Sequence, residues 1–200
     1  MFTFRHLAGG TGPFAVEKAF ADLEGTGLAD KLPRFLLAQG DRCAPQALAW
    51  EKAKAQGFPK GYENDYPIIE NPEPLIPTIA TGEPKTYPLM APLVKRSGGE
   101  IFEINEELAI DIARLVAYER VIKIGPASTA AIAGLFESLK RGYINDGETV
   151  FINMGEGANR AFGFMHKAAY TTQEVSSVDD CDRFNREDYK EKVWEPFERY

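Results

Sequence analysis

Along most of the chain, short apolar runs alternate with longer stretches in which apolar residues recur at helical spacing. Phe2, Phe4, Leu7 and Ala8 form a β-like run that passes directly into Gly9-Gly10-Thr11-Gly12-Pro13. Pro13 suits the first turn of a helix, where its missing N–H is no loss. Phe14, Ala15, Ala19, Phe20 and Leu23 then keep helical spacing until Glu24-Gly25-Thr26-Gly27 stops the pattern. The continuous run Arg34 to Gln39, bounded by Pro33 and Gly40, predicts a strand covered on both faces. Ala44 to Gln56 predicts a helix. Residues 57 to 85 carry prolines at 59, 67, 72, 74, 77 and 84 and are too broken for regular structure; a connection of this length is expected to be functional or interfacial.

Periodicity resumes with a helix over Tyr87 to Arg96, despite Pro88 and Pro92, which Ser97-Gly98-Gly99 caps. Glu100 to Ile104 alternates as a strand, and Asn105 is a good N-cap for a helix over Glu106 to Arg120. Glu106 and Glu107 read as an acidic first turn favoured by the helix dipole. Val121 to Ile124 is a short apolar run, Pro126 to Arg141 a helix rich in small residues ended by Gly142, and Thr149 to Asn153 the last clear strand. Met154-Gly155-Glu156-Gly157 follows it. Strands and helices in this order predict an α/β domain built as three layers around a mainly parallel sheet. Ligands of such sheets bind at the carboxyl ends of the strands, and both glycine-rich turns, 9 to 12 and 155 to 157, belong to that edge. The domain is expected over 1–163. Residues 164–200 form a polar extension or docked tail, whose last 22 residues carry eight acidic and five basic side chains with Trp194, Phe197 and Tyr200.

Composition narrows the class. With 200 residues, 44% of them hydrophobic, the chain can bury a core of ordinary size. No apolar stretch approaches the roughly 18 residues of a membrane span, and MFTFRHLAGG lacks the layout of a signal peptide, so a cytoplasmic protein without membrane contact is expected. A net charge of −7 without a basic run argues against nucleic acid. Cys43 and Cys181 stand alone, and His6 and His166 are the only histidines, so neither a disulfide framework nor a zinc site is expected. His166 as a general base is less economical than a plain histidine, and the absence of GxSxG leaves a hydrolase without its serine.

Three glycines in four positions between a strand and a helix let backbone N–H groups converge, and a helix N-terminus adds partial positive charge. Phosphate is the natural occupant, with the Thr11 hydroxyl as a further donor. A dinucleotide competes for the same turn, since Gly10-x-Gly12-x-x-Ala15 fits the loose GxGxxA pattern and Asp41 ends the next strand. That acid, however, comes about thirty residues on instead of the usual ~20.

The order of motifs resembles the carboxyl-terminal half of the fold-type II pyridoxal phosphate enzymes, the tryptophan synthase β-like fold, and within them the threonine synthase and cysteate synthase group. The resemblance is carried by GGTGPFAVEKAF at 9–20, LPRFLLAQGDRCAP at 32–45, SGGEIFEINEEL at 97–108, GPASTAAIAGLFESLKRG at 125–142 and TVFINMGEG at 149–157. It implies pyridoxal phosphate as cofactor, with Gly9, Gly10, Thr11 and Gly12 on its phosphate and the loop Asn153, Met154, Gly155, Glu156 near its ring. Met154 stands where the family usually places a Ser or Thr hydroxyl against the pyridine nitrogen, so Asn153 or Glu156 would have to substitute. Gly125 stands where the family commonly has an acid.

The resemblance also implies an absence. The family's Schiff-base lysine belongs to the amino-terminal half, and neither Lys18, Lys31 nor Lys123 lies at its motif. The first residues already read as a core strand, so the chain is expected to begin within a larger unit. It is therefore expected to be inactive alone, a fragment or subunit whose partner is the missing half or a separate subunit, with self-association possible. What the resemblance implies is a β- or γ-replacement on an (O-phospho) amino acid. The alternative is a non-catalytic phosphate- or nucleotide-binding module, and a third possibility is an interaction protein assembled through 57–85 and 179–200.

Overall fold

The computed structural model describes residues 2–165. Their order is β1 (Phe2–His6), α1 (Thr11–Gly25), β2 (Arg34–Gly40), α2 (Pro45–Ala55), α3 (Tyr87–Ser97), β3 (Glu100–Ile104), α4 (Glu106–Arg120), α5 (Pro126–Lys140), β4 (Val150–Ile152) and a short α6 (Phe162–Met165). The tail assigned to 164–200, with His166 and Cys181, lies almost wholly outside the described residues.

Four parallel strands form one sheet in the order β3-β2-β1-β4. Strand β2 is central, and from Phe35 onward every residue is buried, as its unbroken apolar run requires. Its pleat sends Phe35 and Leu37 to one face, where α2 and α3 pack with Ala47, Trp50, Met90 and Val94. Leu36 and Ala38 face the opposite side, against Ala109 and Ile112 of α4 and Ala130 and Ala133 of α5. The result is the expected three layers. The small residues of α5 let it lie close beneath the sheet.

The path of the chain explains the layers. From β1 to β3 it steps in one direction, with α1, α2 and α3 on one face; α4 and α5 then carry it across the other face to β4, on the far side of β1. Right-handed crossovers demand this change of face when the direction reverses. The reversal lies between β1 and β4, which makes the carboxyl ends of these two strands the switch point, where open α/β sheets bind ligands.

Helix ends follow their local chemistry. Asn105 Oδ1 accepts from Glu107 N–H at 2.8 Å and Leu108 N–H at 3.3 Å, starting α4 at Glu106. Gly98, at φ 70°, ends α3; Pro88 falls in its first turn, where the missing N–H is no loss, whereas Pro92 lies inside the helix and removes one helical hydrogen bond. The apolar run 121–124 forms no strand: Val121 closes α4 in a left-handed conformation, and Ile124 makes one antiparallel bridge to Gly157.

Residues 57–85 contain only two single turns of 3-10 helix, at Tyr62–Asn64 and Pro77–Ile79, yet they are built into the core. Ile76 and Ile79 are buried against β2, β3 and α5. The backbone N–H groups of Leu75 and Ile76 both donate to Glu106 Oε2, the latter at 3.0 Å. The sequence reads Glu106 as an acid of the first helical turn, with nothing to mark it as a core residue. It is instead buried, because Gly40 has no Cβ: a side chain there would overlap the Glu106 carboxylate.

Candidate functional site

The turn after β1 and the loop after β4 lie side by side at the switch point, since β1 and β4 pair in parallel through Phe2↔Val150, Thr3↔Phe151 and Phe4↔Ile152. The glycine turn is the N-terminus of α1. Gly10 is its N-cap at φ 82°, a conformation that suits glycine, and a Cβ there would stand 2.5 Å from the Met90 ε-methyl and 2.9 Å from Thr86 Oγ1. Glycine is required at this position by both conformation and space.

The other long helices have acceptors at their N-termini. In α2, Gln39 Oε1 takes the N–H groups of Gln46 at 2.9 Å and Ala47 at 3.1 Å. In α4, Asn105 is joined by Asp41 Oδ1, which accepts from Glu106 N–H at 3.3 Å. In α5, Glu156 Oε2 accepts from Ala127 N–H at 2.7 Å. In α3, backbone carbonyls of Pro84 and Thr86 serve Tyr87 and Leu89. Helix α1 has no acid in its first turn and no side-chain cap, and among the described residues no acceptor takes the N–H groups of Gly10, Thr11 or Gly12. Uncapped N–H groups and a positive helix end, exposed at Gly9 and Thr11, suit an anion. The fit to a phosphate group is direct.

The second loop is fixed from behind. Glu156 N–H donates to Ser128 Oγ at 3.1 Å, while Ser128 Oγ donates to the Glu156 carbonyl at 2.7 Å. Gly125 N–H reaches the same carbonyl at 2.9 Å. A Cβ on Gly125 would lie 2.6 Å from Glu156 Cγ, so Glu156 occupies the room a side chain at 125 would need and caps α5 from across the gap. Its carboxylate thus has a defined engagement at the α5 N-terminus. Asn153 is half-buried, and Met154 and Gly155 are exposed on the ligand edge. Met154 presents a thioether, a weak acceptor.

The structure brings both sets of sequence-derived residues, 9–12 and 153–156, to one edge. Asp41, the acid considered for a ribose, is at the end of β2 and serves α4. Sequence reasoning missed Gln46, Thr86 and Ser128, which support the two loops from neighbouring elements. Only the strand-end location of the loops hinted that such supports exist. Among the described residues no group of His, Cys, Asp and Glu is arranged to hold a metal, and no helix is long and apolar enough to cross a membrane.

Comparison with known proteins bears on the fold and the family. The model of the pyridoxal-phosphate dependent enzyme family matches residues 6–155. A threonine synthase of Methanocaldococcus jannaschii is 31% identical over 144 residues, covering 72% of this chain and 33% of the relative. A cysteate synthase of Methanothrix thermoacetophila is 27% identical over 166 residues, covering 78% of this chain and 38% of the relative. The chain thus spans about a third of the length of these curated relatives. Among solved structures, a fungal L-serine ammonia-lyase from Rhizomucor miehei superposes with a TM-score of 0.55 at 13% identity, over 83% of this chain and 50% of the other. The processed form of threonine deaminase isoform 2 from Solanum lycopersicum gives 0.55 at 14% identity, over 84% and 43%. These two show the fold alone, that of the fold-type II enzymes; the family match and the threonine synthase relative indicate pyridoxal phosphate as the cofactor. From its motifs, its sheet and its matched residues, the chain belongs to the pyridoxal-phosphate dependent enzyme family.

Proposed function

We propose that this chain is the phosphate-binding portion of a pyridoxal phosphate enzyme resembling threonine synthase or cysteate synthase. It would act in the cytoplasm on an O-phosphorylated amino acid by β- or γ-replacement. The single observation that carries this reading is the uncapped N-terminus of α1, placed at the switch point of a sheet of the family's fold. Gly9, Gly10, Thr11 and Gly12 would hold the cofactor phosphate through backbone N–H groups, with Thr11 adding its hydroxyl. Asn153, Met154 and Gly155 would form the wall beside the ring, and Glu156 would keep that wall seated on α5. When bound, the cofactor supplies an electron sink for bonds at the amino acid's α-carbon.

The lysine that anchors the cofactor would come from a segment or subunit beyond these 200 residues, since no lysine here matches the family's motif. The chain alone is accordingly proposed to bind the cofactor reversibly and to lack turnover. Its test is to mix the purified chain with pyridoxal phosphate, with and without the product of the adjacent open reading frame, and to follow a visible absorbance band that borohydride abolishes. The band is expected only with the partner. Its absence even then would sink the enzymatic reading.

A second reading, a non-catalytic phosphate- or nucleotide-binding module, is favoured by one feature: the ring side offers the Met154 thioether where the family has a hydroxyl. Calorimetry separates the two. Tight binding of NAD or AMP with indifference to pyridoxal phosphate would support the module.

A further inference from the structure

We propose that Thr86, with Gln46 behind it, is a positioning residue that aims the N–H groups of the glycine turn at the phosphate. The inference rests on the phosphate reading of that turn. Gln46 Nε2 donates to the Ala8 carbonyl at 3.0 Å, and Thr86 Oγ1 donates to the Gly9 carbonyl at 2.7 Å. Two successive carbonyls are thus drawn toward the protein. In a trans peptide the N–H points opposite to the C=O, so the N–H groups of Gly9 and Gly10 are turned outward by these two bonds.

Each anchor is itself fixed. Gln46 is fully buried, and its backbone N–H is held by Gln39 Oε1 at 2.9 Å. Thr86 is the residue preceding α3, whose Tyr87 and Met90 are fully buried. The Met90 ε-methyl and Thr86 Oγ1 fill the space a Gly10 Cβ would take, so the protein closes the turn from the side opposite the N–H groups. Below them, Leu7 N–H donates to the Ala38 carbonyl at 2.7 Å and ties the approach to the sheet. Among the described residues only the Thr86 bond joins the turn to the segment that leads from the 57–85 connection into α3, so the orientation of the Gly9–Gly10 peptide depends on it.

The test uses the full chain and inorganic phosphate, followed by the backbone amide signals of Gly9, Gly10, Thr11 and Gly12 in a 1H–15N titration. Pyridoxal phosphate is titrated in parallel. Thr86→Val keeps the shape and removes the donor; Thr86→Ser keeps the donor. Thr86→Val is expected to weaken phosphate binding about tenfold, the effect of one oriented hydrogen bond, with the amide signals of α5 unchanged. Thr86→Ser is expected to restore wild-type binding, which a merely structural role would not require. Should Thr86→Val fail to fold, Thr86→Ala removes the same hydroxyl and carries the comparison. Wild-type affinity in the donor-less variant would overturn this proposal and leave the phosphate site standing. A wild-type chain that binds neither phosphate nor pyridoxal phosphate would overturn both.

Discussion

Buried Glu106 shows how one side chain can tie a connection to the core. Its Oε2 accepts the N–H groups of Leu75 and Ile76, while among the described residues Oε1 has no hydrogen-bond partner and lies against Gly40. Burial, the largest influence, raises its pKa above the ordinary glutamate value; the two N–H groups and Arg42 oppose this, and Asp41 adds to it. The thiol of Cys43, also raised chiefly by burial, feels the same carboxylate. A folded-state pKa above the unfolded one means that the folded protein favours the neutral acid. This stabilising contribution is full below the unfolded pKa and is lost as pH rises through the folded one. Glu106→Gln has no such titration and can still accept from both N–H groups. Its stability relative to wild type is therefore expected to increase as pH rises from the ordinary carboxylate range and then to level off. Urea midpoints of the two proteins across pH measure this, and a difference independent of pH would refute it. None of this was legible in the sequence, where Glu106-Glu107 after Asn105 has the form of any acidic first turn. Burial came from a glycine 66 positions earlier, Gly40, and no local pattern links the two. The phosphate role proposed for Gly9 to Gly12 was suggested because its chemistry is local: three glycines and a helix start are adjacent in the chain.

Among the elements, the junction of α5 with the loop after β4 couples core to candidate site. Ser128 is buried, and its hydroxyl both donates to the Glu156 carbonyl and accepts from the Glu156 N–H. Ser128→Ala removes both the hydroxyl that accepts from the Glu156 N–H and the donor to its carbonyl, whereas the carbonyl keeps Gly125 N–H at 2.9 Å. The expected destabilisation is about 1–3 kcal/mol, read as a lower urea midpoint with an unchanged slope. An unchanged midpoint would show that the loop is held by other contacts. The elements themselves were readable wherever period and punctuation agreed. Helix α4 runs from Glu106 to Arg120 as expected because Asn105 supplies a strong start signal, and β2 was betrayed by its unbroken apolar run between Pro33 and the glycine at 40. The connection 57–85 resisted for the opposite reason. Its prolines exclude regular structure, so its burial rests on isolated side chains such as Ile76 and Ile79 meeting strands far away in sequence. Glu156 likewise could not be assigned to the α5 cap from sequence, because the room for it is created by the missing side chain at Gly125.

At the scale of the whole molecule, the two halves of the candidate site differ in kind. The sheet order places both loops at one edge, yet the α1 turn offers several uncapped N–H groups, while the β4 loop offers the exposed Met154 beside a carboxylate already engaged at α5. Charge-assisted hydrogen bonds to N–H groups are the strong kind, about 1.5–3 kcal/mol each, and a thioether contact to a ring is weaker. Ligand affinity of the isolated chain should therefore reside in the phosphate. The net charge of −7 opposes any anion at long range, but that repulsion is screened within about 10 Å at 0.1 M salt, whereas direct N–H contacts are not. Pyridoxal phosphate and inorganic phosphate are accordingly expected to compete for one site, and pyridoxal without its phosphate to bind at least about a hundredfold more weakly, as the loss of one or two such bonds requires. Competition calorimetry at moderate salt reads both quantities. If pyridoxal bound as tightly as its phosphate ester and inorganic phosphate did not displace either, affinity would reside in the ring, and the β4 loop would have to supply a partner other than the Met154 thioether. The predicted outcome instead assigns the affinity of this chain to the α1 turn, where the N–H groups without a capping side chain lie.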